Sequence, residues 1–308
     1  MIKISIVSPT FNEHSNVEEL HARITQVMSQ IKFDYEILFI DNASTDGTQE
    51  LLRQLAERDS RVKLIINESN FGWIRSPYHA LLQTNAEATV LISSDLQDPP
   101  EMIPSLIEKW KSGAKVVLAT RKSSDEKWPK RSIRKVFYKV LSAVSSTQLI
   151  PNATGAGIFD REVINELRNL REPYPYFRGL VVELGFKVET ADFHQPIRKN
   201  GKTKSTFLKL YDVALLGLIS QGGAAMRLVS LLGFGVAAVS LLVALGYLLA
   251  KLIYWDSFEL GLTPLILGVF FFGSVQVALL GLLGEYLASI QRRLKNLPLV
   301  IESERVNF

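Results

Sequence analysis

Asp95, Gln97 and Asp98 stand close together in Ser93-Ser94-Asp95-Leu96-Gln97-Asp98-Pro99-Pro100. Hard oxygen donors at that spacing can hold a divalent cation, and such a cation neutralises charge on a departing diphosphate. The plainer reading is a polar turn in which Asp95 or Asp98 caps a helix starting near Glu101. Pro9-Thr10-Phe11-Asn12-Glu13 offers an aromatic ring and a carboxylate, a pair able to stack on and hydrogen-bond a nucleobase. Asp41-Asn42-Ala43-Ser44-Thr45-Asp46-Gly47 can bind a ribose or base, or can simply cap a helix through Thr45 or Asp46. Basic residues gather at 122–139 and 198–209. Such clusters suit phosphate groups or anionic lipid, and they also serve as solvated faces.

Each of the three polar segments follows a short β-branched run. The spacing predicts strands at 2–7, 35–40, 62–66, 88–93 and 114–119. Between them, Val17, Leu20, Ile24, Val27, Met28 and Ile31 recur at helical spacing over 16–31, with Glu18 and Glu19 expected in the first turn. Leu51, Leu52 and Leu55 mark one face of a second helix opened by Thr45-Asp46-Gly47. Strands alternating with helices predict a mainly parallel sheet covered on both faces. Ligands of such sheets bind beyond the carboxyl ends of the strands, where all three polar segments fall. Residues 125–205 are less regular: a basic helix over 131–145, a Gly-rich turn at 154–157 and a surface loop at 199–204 are expected.

The composition changes along the chain. Of its 308 residues 47% are apolar, and the excess lies beyond Arg227. Segments 228–250 and 260–284 carry no charge, and each is long enough to cross a hydrocarbon core of about 30 Å as a helix. Arg227 precedes the first; Arg292, Arg293 and Lys295 follow the second; Tyr254 and Trp255 occupy the loop between. This bias predicts two spans with both ends in the cytoplasm and only 251–259 on the other side. No basic stretch followed by an apolar one opens the chain, so the first ~200 residues are expected in the cytoplasm. With no Cys, disulfides and thiolate metal sites are excluded. A net charge of +4 and the lack of an RNA-binding signature speak against nucleic acid.

VSPTFNE, IDNASTDGT, NFG (Asn70 to Gly72) and SDLQDPPE, in this order, resemble the family 2 glycosyltransferases. The similarity is to the dolichol-phosphate mannose synthase and bactoprenol glucosyltransferase branch, and it covers essentially the whole chain. It implies a GT-A (Rossmann-like) nucleotide-sugar-binding α/β domain, Mg²⁺ or Mn²⁺, and inversion at the anomeric carbon. It implies nucleoside contacts from Pro9, Phe11, Glu13, Asp41, Asn42 and Asn70, and metal contacts from Asp95 and Gln97. Asp95, Arg121 and Arg131 take the catalytic roles. Arg121, Arg131, Arg134, Arg198, Lys202 and Lys204 are implied to meet the acceptor phosphate. The chain departs from the pattern at Ser93 and Asn42, each in place of Asp, at Arg134 in place of Ser, and at Thr154-Gly155-Ala156-Gly157, where a catalytic Asp is missing.

The implied activity is transfer of a hexose from a nucleoside-diphosphate sugar, UDP-linked by analogy, to polyprenyl phosphate at the cytoplasmic face of an inner membrane. A saccharide acceptor and a non-catalytic nucleotide-binding membrane scaffold are the alternatives. The expected organisation is a cytoplasmic GT-A domain (1–205), a juxtamembrane amphipathic helix (206–227), a transmembrane hairpin (228–285) and a cytoplasmic tail (286–308). Gly residues in the two spans permit close packing within a chain or in a homo-oligomer.

Overall fold

In a computed structural model the described residues are 3–124, 150, 152–170, 172, 175, 177–196, scattered positions between 233 and 253, 262–294 and 297–308. The basic helix at 131–145, the loop at 199–204 and the segment 206–227 lie outside them.

Strand β1 (Lys3–Thr10) leads into α1 (His14–Ser29), β2 (Asp34–Asp41) into α2 (Thr48–Arg58), and β3 (Val62–Asn67) into α3 (Gly72–Leu82). Strand β4 (Ala88–Leu91) is followed by a 3₁₀ turn and α4 (Ile103–Lys111). Then come β5 (Val116–Ser124), β6 (Ala153–Asp160), α5 (Arg161–Asn169), α6 (Phe177–Glu183), β7 (Val188–Gln195), the long α7 (Leu262–Leu294) and β8 (Glu302–Val306). The described strands form one sheet in the order β7-β5-β6-β4-β1-β2-β3-β8. Strands β4, β1, β2 and β3 run parallel to one another, as the alternating pattern predicts, and β5 and β7 form a second parallel pair.

Period-2 alternation divides the core. Ile4, Ile6, Ile37, Phe39, Leu64 and Ile66 face the layer of α1, α2 and α4. Val7, Leu38, Ile40 and Ile65 face the other side with residues of α3, α5 and α6. Helix α1 presents Val17, Leu20, Ile24, Val27 and Met28 inward, the stripe read from the sequence. It begins at His14, with no acidic residue in its first turn, so Glu18 and Glu19 lie one turn deeper than expected.

Two local expectations are corrected. Residues 154–157 are not a turn but the middle of β6, antiparallel to both β4 and β5. Glycine is required here because a Cβ on Gly157 would stand 2.3 Å from the Val117 carbonyl oxygen, so only a bare backbone lets β5 approach.

The second concerns the C-terminal segment. It returns to the sheet as β8, antiparallel to β3. Arg53 holds Glu304 at 2.8 Å, His79 meets Glu302 at 2.5 Å, and Asn307 donates to the carbonyls of Ala56 and Val62, both at 2.8 Å. Arg75 binds the Pro298 carbonyl at 2.5 Å.

Candidate active site

The strand order reverses between β4 and β1: the chain steps through β2 and β3 on one side of β1 and places β4 on the other. At such a switch point the loops beyond the carboxyl ends diverge and leave a crevice. The loops after β1, β2 and β4 meet there. Asn12 N donates to Ser44 Oγ at 2.8 Å, Thr45 N returns a bond to Asn12 Oδ1 at 2.8 Å, and Ser94 Oγ donates to the Pro9 carbonyl at 2.8 Å. Each loop also carries one non-glycine residue at positive φ: Asn12 (52°), Ala43 (60°) and Leu96 (60°). For Ala and Leu this conformation costs about 1–2 kcal/mol each, and strain of this kind concentrates at functional sites.

The structure brings Pro9, Phe11, Glu13, Asp41, Asp95 and Gln97 to this edge. Pro9 is the penultimate residue of β1, with Phe11 half-buried just beyond the strand. Glu13 is buried and accepts from Asn16 Nδ2 at 2.6 Å. Asp41 is fully buried; its Oδ1 accepts from Ser44 N at 2.8 Å and Gln49 Nε2 at 3.0 Å. Its Oδ2 has no hydrogen-bond partner. Burial pushes the Asp41 carboxyl up, against the bonds from Ser44 and Gln49.

Asp95 Oδ1 accepts from Gln97 N at 3.1 Å and lies 2.7 Å from Ser93 Oγ. Ser93 Oγ also lies 2.7 Å from Asp98 Oδ2, which accepts from Ser93 N at 3.2 Å. Burial pushes the Asp98 carboxyl up, with the Asp95 charge adding to the effect. Ser93, the departure from the two-carboxylate pattern, therefore bridges Asp95 to a second carboxylate three positions on. Sequence reading treated Asp98 only as a cap or a member of the oxygen cluster; its place behind Ser93 depends on the turn through Leu96.

Hard oxygen ligands at this edge suit Mg²⁺ or Mn²⁺ rather than a softer metal. Among the described residues no group of three or more His, Cys, Asp or Glu side chains comes together, so a divalent ion held here would take much of its shell from water and substrate oxygens, as is usual for Mg²⁺.

Asn42 is engaged within the protein. It points to the opposite face of the sheet from Asp41, beneath the turn that joins β3 to α3. Its Nδ2 donates to Asn70 Oδ1 at 2.9 Å and to the Gly72 carbonyl at 3.2 Å. Its Oδ1 accepts from Asn67 Nδ2 at 3.0 Å and Phe71 N at 2.9 Å. A neutral amide has two donors and two acceptor positions, and all four are filled within the protein. Asn70 remains exposed on that turn.

Arg121 lies half-buried in β5 and its amide donates to Asn152 O at 3.1 Å. Arg131, Arg134, Arg198, Lys202 and Lys204 fall outside the described residues. Asp160, the carboxylate nearest in sequence after the Gly-rich stretch, pairs with Ala88 at the far, amino edge of the parallel strands. There it caps α5 through Glu162 N and accepts from Trp110 Nε1 at 2.8 Å. Burial alone would raise its carboxyl, but the bonds from Trp110, the Glu162 amide and Lys115 hold it below its ordinary value. It is a structural group.

A sheet of this order with a polar crevice at its switch point defines an α/β nucleotide-binding domain of the GT-A type. Residues 5–168 match the family model described as glycosyl transferase family 2, and the chain belongs to that family. It is 34% identical over 301 residues to the glycosyltransferase YkcC of Bacillus subtilis, covering 97% of this chain and 93% of that one. It is 30% identical over 310 residues to the SfII prophage-derived bactoprenol glucosyl transferase of Shigella flexneri, covering 99% of this chain and all of that one. Among solved structures, glucosyl-3-phosphoglycerate synthase from Mycobacterium tuberculosis shares the fold with a TM-score of 0.50 at 19% identity, covering 73% and 78% of the two chains.

Proposed function

We propose that this glycosyltransferase moves a hexose from a UDP-sugar onto polyprenyl phosphate at the cytoplasmic face of an inner membrane. The observation that carries the donor half is Asp41 Oδ2, a buried carboxylate oxygen without a partner beside the Phe11 loop. An orphaned acceptor of this kind costs about 1–3 kcal/mol, and an imide N–H of a nucleobase would satisfy it. Pro9, Phe11, Glu13 and Asn70 complete the nucleoside contacts. The solved mycobacterial synthase is described in complex with Mn²⁺ and UDP, which supports a divalent ion and a uridine donor here. Asp95 and Gln97 would hold that ion, with Asp98 behind Ser93; bound there, it would offset the charge of the leaving diphosphate.

Support for the acceptor comes from the near full-length likeness to a bactoprenol glucosyl transferase. A phosphomonoester carries a charge of about −1.5 to −2 near neutral pH, so its oxygen is already an anion. A site of this kind has to supply position and charge balance rather than a base. We assign that role to Arg121 and Arg131, with Arg134, Arg198, Lys202 and Lys204 around the headgroup. The fixed structural duties of Asp160 agree with this. Incubation with labelled UDP-glucose and membrane lipid, then organic extraction, tests the whole reading. Label moving into the organic phase is expected. Label confined to the aqueous phase as a transferred sugar would favour a saccharide acceptor.

For the donor site, Asp41→Ala is expected to weaken UDP binding about tenfold or more while slowing the saturated complex less. Titration of the purified protein with UDP measures it, and an unchanged dissociation constant returns Asp41 to a loop-bracing role.

Membrane placement follows from parity. Within α7, Phe271–Ala288 is long and apolar enough to cross a bilayer and is not buried within the protein. Strand β8 follows α7 yet belongs to the sheet of the catalytic domain, which supports an even number of crossings between β7 and β8. The described positions between 233 and 253 are helical and expose Phe234, Val239, Leu242 and Val243, and a Cβ on Gly233 would meet Leu279 of α7 at 3.8 Å. Two crossings are the reading that fits. Reporter fusions at residue 255 and at the C-terminus should give opposite sidedness; identical readings would sink the hairpin.

A further inference from the structure

We propose that Asn42 is a positioning residue: its amide sets the turn Asn70-Phe71-Gly72 against the donor site, and an amide rather than a carboxylate is required there. The inference rests on the donor reading above and names a residue that acts through another segment.

The geometry is one of complete saturation. Asn42 is buried, at 6% exposure. Two of its four bonds go to groups that only accept, Asn70 Oδ1 and Gly72 O; the other two come from groups that only donate, Asn67 Nδ2 and the Phe71 amide. The network closes on itself. Asn70 Oδ1 also accepts from Gly72 N at 2.9 Å, and Asn67 Nδ2 also donates to Ser76 Oγ at 3.0 Å, in the second turn of α3. One side chain at the end of β2 therefore holds the last residue of β3, three consecutive residues of the turn and, through Asn67, the start of α3. Gly72 sits at a φ of 83°, a conformation that glycine adopts without steric cost. The tight turn so formed carries Asn70, the exposed side chain assigned to the nucleoside.

Replacing the amide by a carboxylate keeps the shape and reverses half the chemistry. The oxygen facing Asn67 and Phe71 N still accepts. The other oxygen faces Asn70 Oδ1 and Gly72 O, and no proton lies between them. Rotation of the Asn70 amide would supply a donor but would strip Gly72 N of its acceptor. A protonated acid could donate to one of the two oxygens, so the defect should ease as pH falls. The charged groups nearby are Asp41 and Asp46 in the same loop and Arg75 on α3, none of them hydrogen-bonded to Asn42.

The test uses the full-length protein in detergent, titrated with UDP at pH 8 and at pH 5.5. Asn42→Asp should raise the UDP dissociation constant at least about tenfold over wild type at pH 8, slow the saturated complex less than about threefold, and show a smaller ratio to wild type at pH 5.5. Equal UDP binding by wild type and Asn42→Asp at pH 8 would overturn the proposal and leave the donor reading intact. A defect of the same size at both pH values would overturn the requirement for an amide. Failure of the wild type itself to bind UDP would remove the donor reading instead. Should Asn42→Asp not fold, hydrogen exchange of the wild-type peptide covering 68–76 decides: the Phe71 and Gly72 amides should be protected without nucleotide, and exchange at the unprotected rate would refute the network.

Discussion

Asp95→Asn is expected to lower turnover by at least two orders of magnitude, roughly 3 kcal/mol of transition-state stabilisation, while leaving the fold intact. The substitution separates charge from shape. Asp95 Oδ1 accepts from Gln97 N and contacts Ser93 Oγ; an amide oxygen can keep both, so the turn through Leu96 should persist and the thermal midpoint should barely move. What disappears is one negative charge at the carboxyl end of β4, inside the switch-point crevice. In the proposed site a divalent ion there would offset the charge of a leaving diphosphate, and Asp98 alone, buried behind Ser93, is a poor substitute for Asp95. Rates at saturating donor and lipid, with and without excess chelator, provide the measurement. Full activity of Asp95→Asn, or full activity of the wild type in chelator, would refute the metal assignment. Ser93→Asp is the informative companion: if the missing first carboxylate limits metal binding, this variant should reach half-maximal rate at lower Mg²⁺.

The second large effect concerns stability. Gly157→Ala should cost about 3 kcal/mol or more, because the added methyl meets main chain rather than a side chain that could swing away. Its Cβ would lie 2.3 Å from the Val117 carbonyl oxygen and 3.2 Å from the Leu118 Cα. Gly157 pairs with Leu91 on one side and Leu118 on the other, so relieving the clash opens the sheet between β6 and β5 beside the crevice. A fall in the thermal midpoint of roughly 6–12 °C is expected for a domain of this size. Gly268→Ala in α7, where a Cβ meets nothing within 4 Å, should leave the midpoint nearly unchanged. Equal behaviour of the two variants would show that the close approach of β5 and β6 is not required.

Several features of this protein were legible in its sequence because they depend on local periodicity. The runs ending at Val7, Ile40 and Ile66 are short, mostly apolar and rich in Ile and Val, and the stripe from Val17 to Met28 has the helical repeat, so strands, helices and their parallel arrangement follow from residue spacing. The polar segments after β1, β2 and β4 could be assigned to one edge because parallel strands share a direction. The uncharged stretch 260–284, which overlaps most of Phe271–Ala288, was legible from composition alone.

What required the tertiary structure depends on contacts distant along the chain. Residues 302–306 read as a charged tail because edge strands are commonly charged; only the pairing with β3, some 240 positions earlier, makes them β8. The glycines at 155 and 157 read as a turn, since the neighbour that demands Gly157, β5, is invisible to local propensity. Asp41 and Asn42 are adjacent and chemically alike, and the sequence assigns them one role. The pleat sends them to opposite faces of the sheet, one to an unsatisfied acceptor in the crevice, the other to a saturated network under the β3–α3 turn. Which polar residue meets a ligand and which braces the backbone was decided by the side of the sheet each occupies, and that side is set by strand pairing.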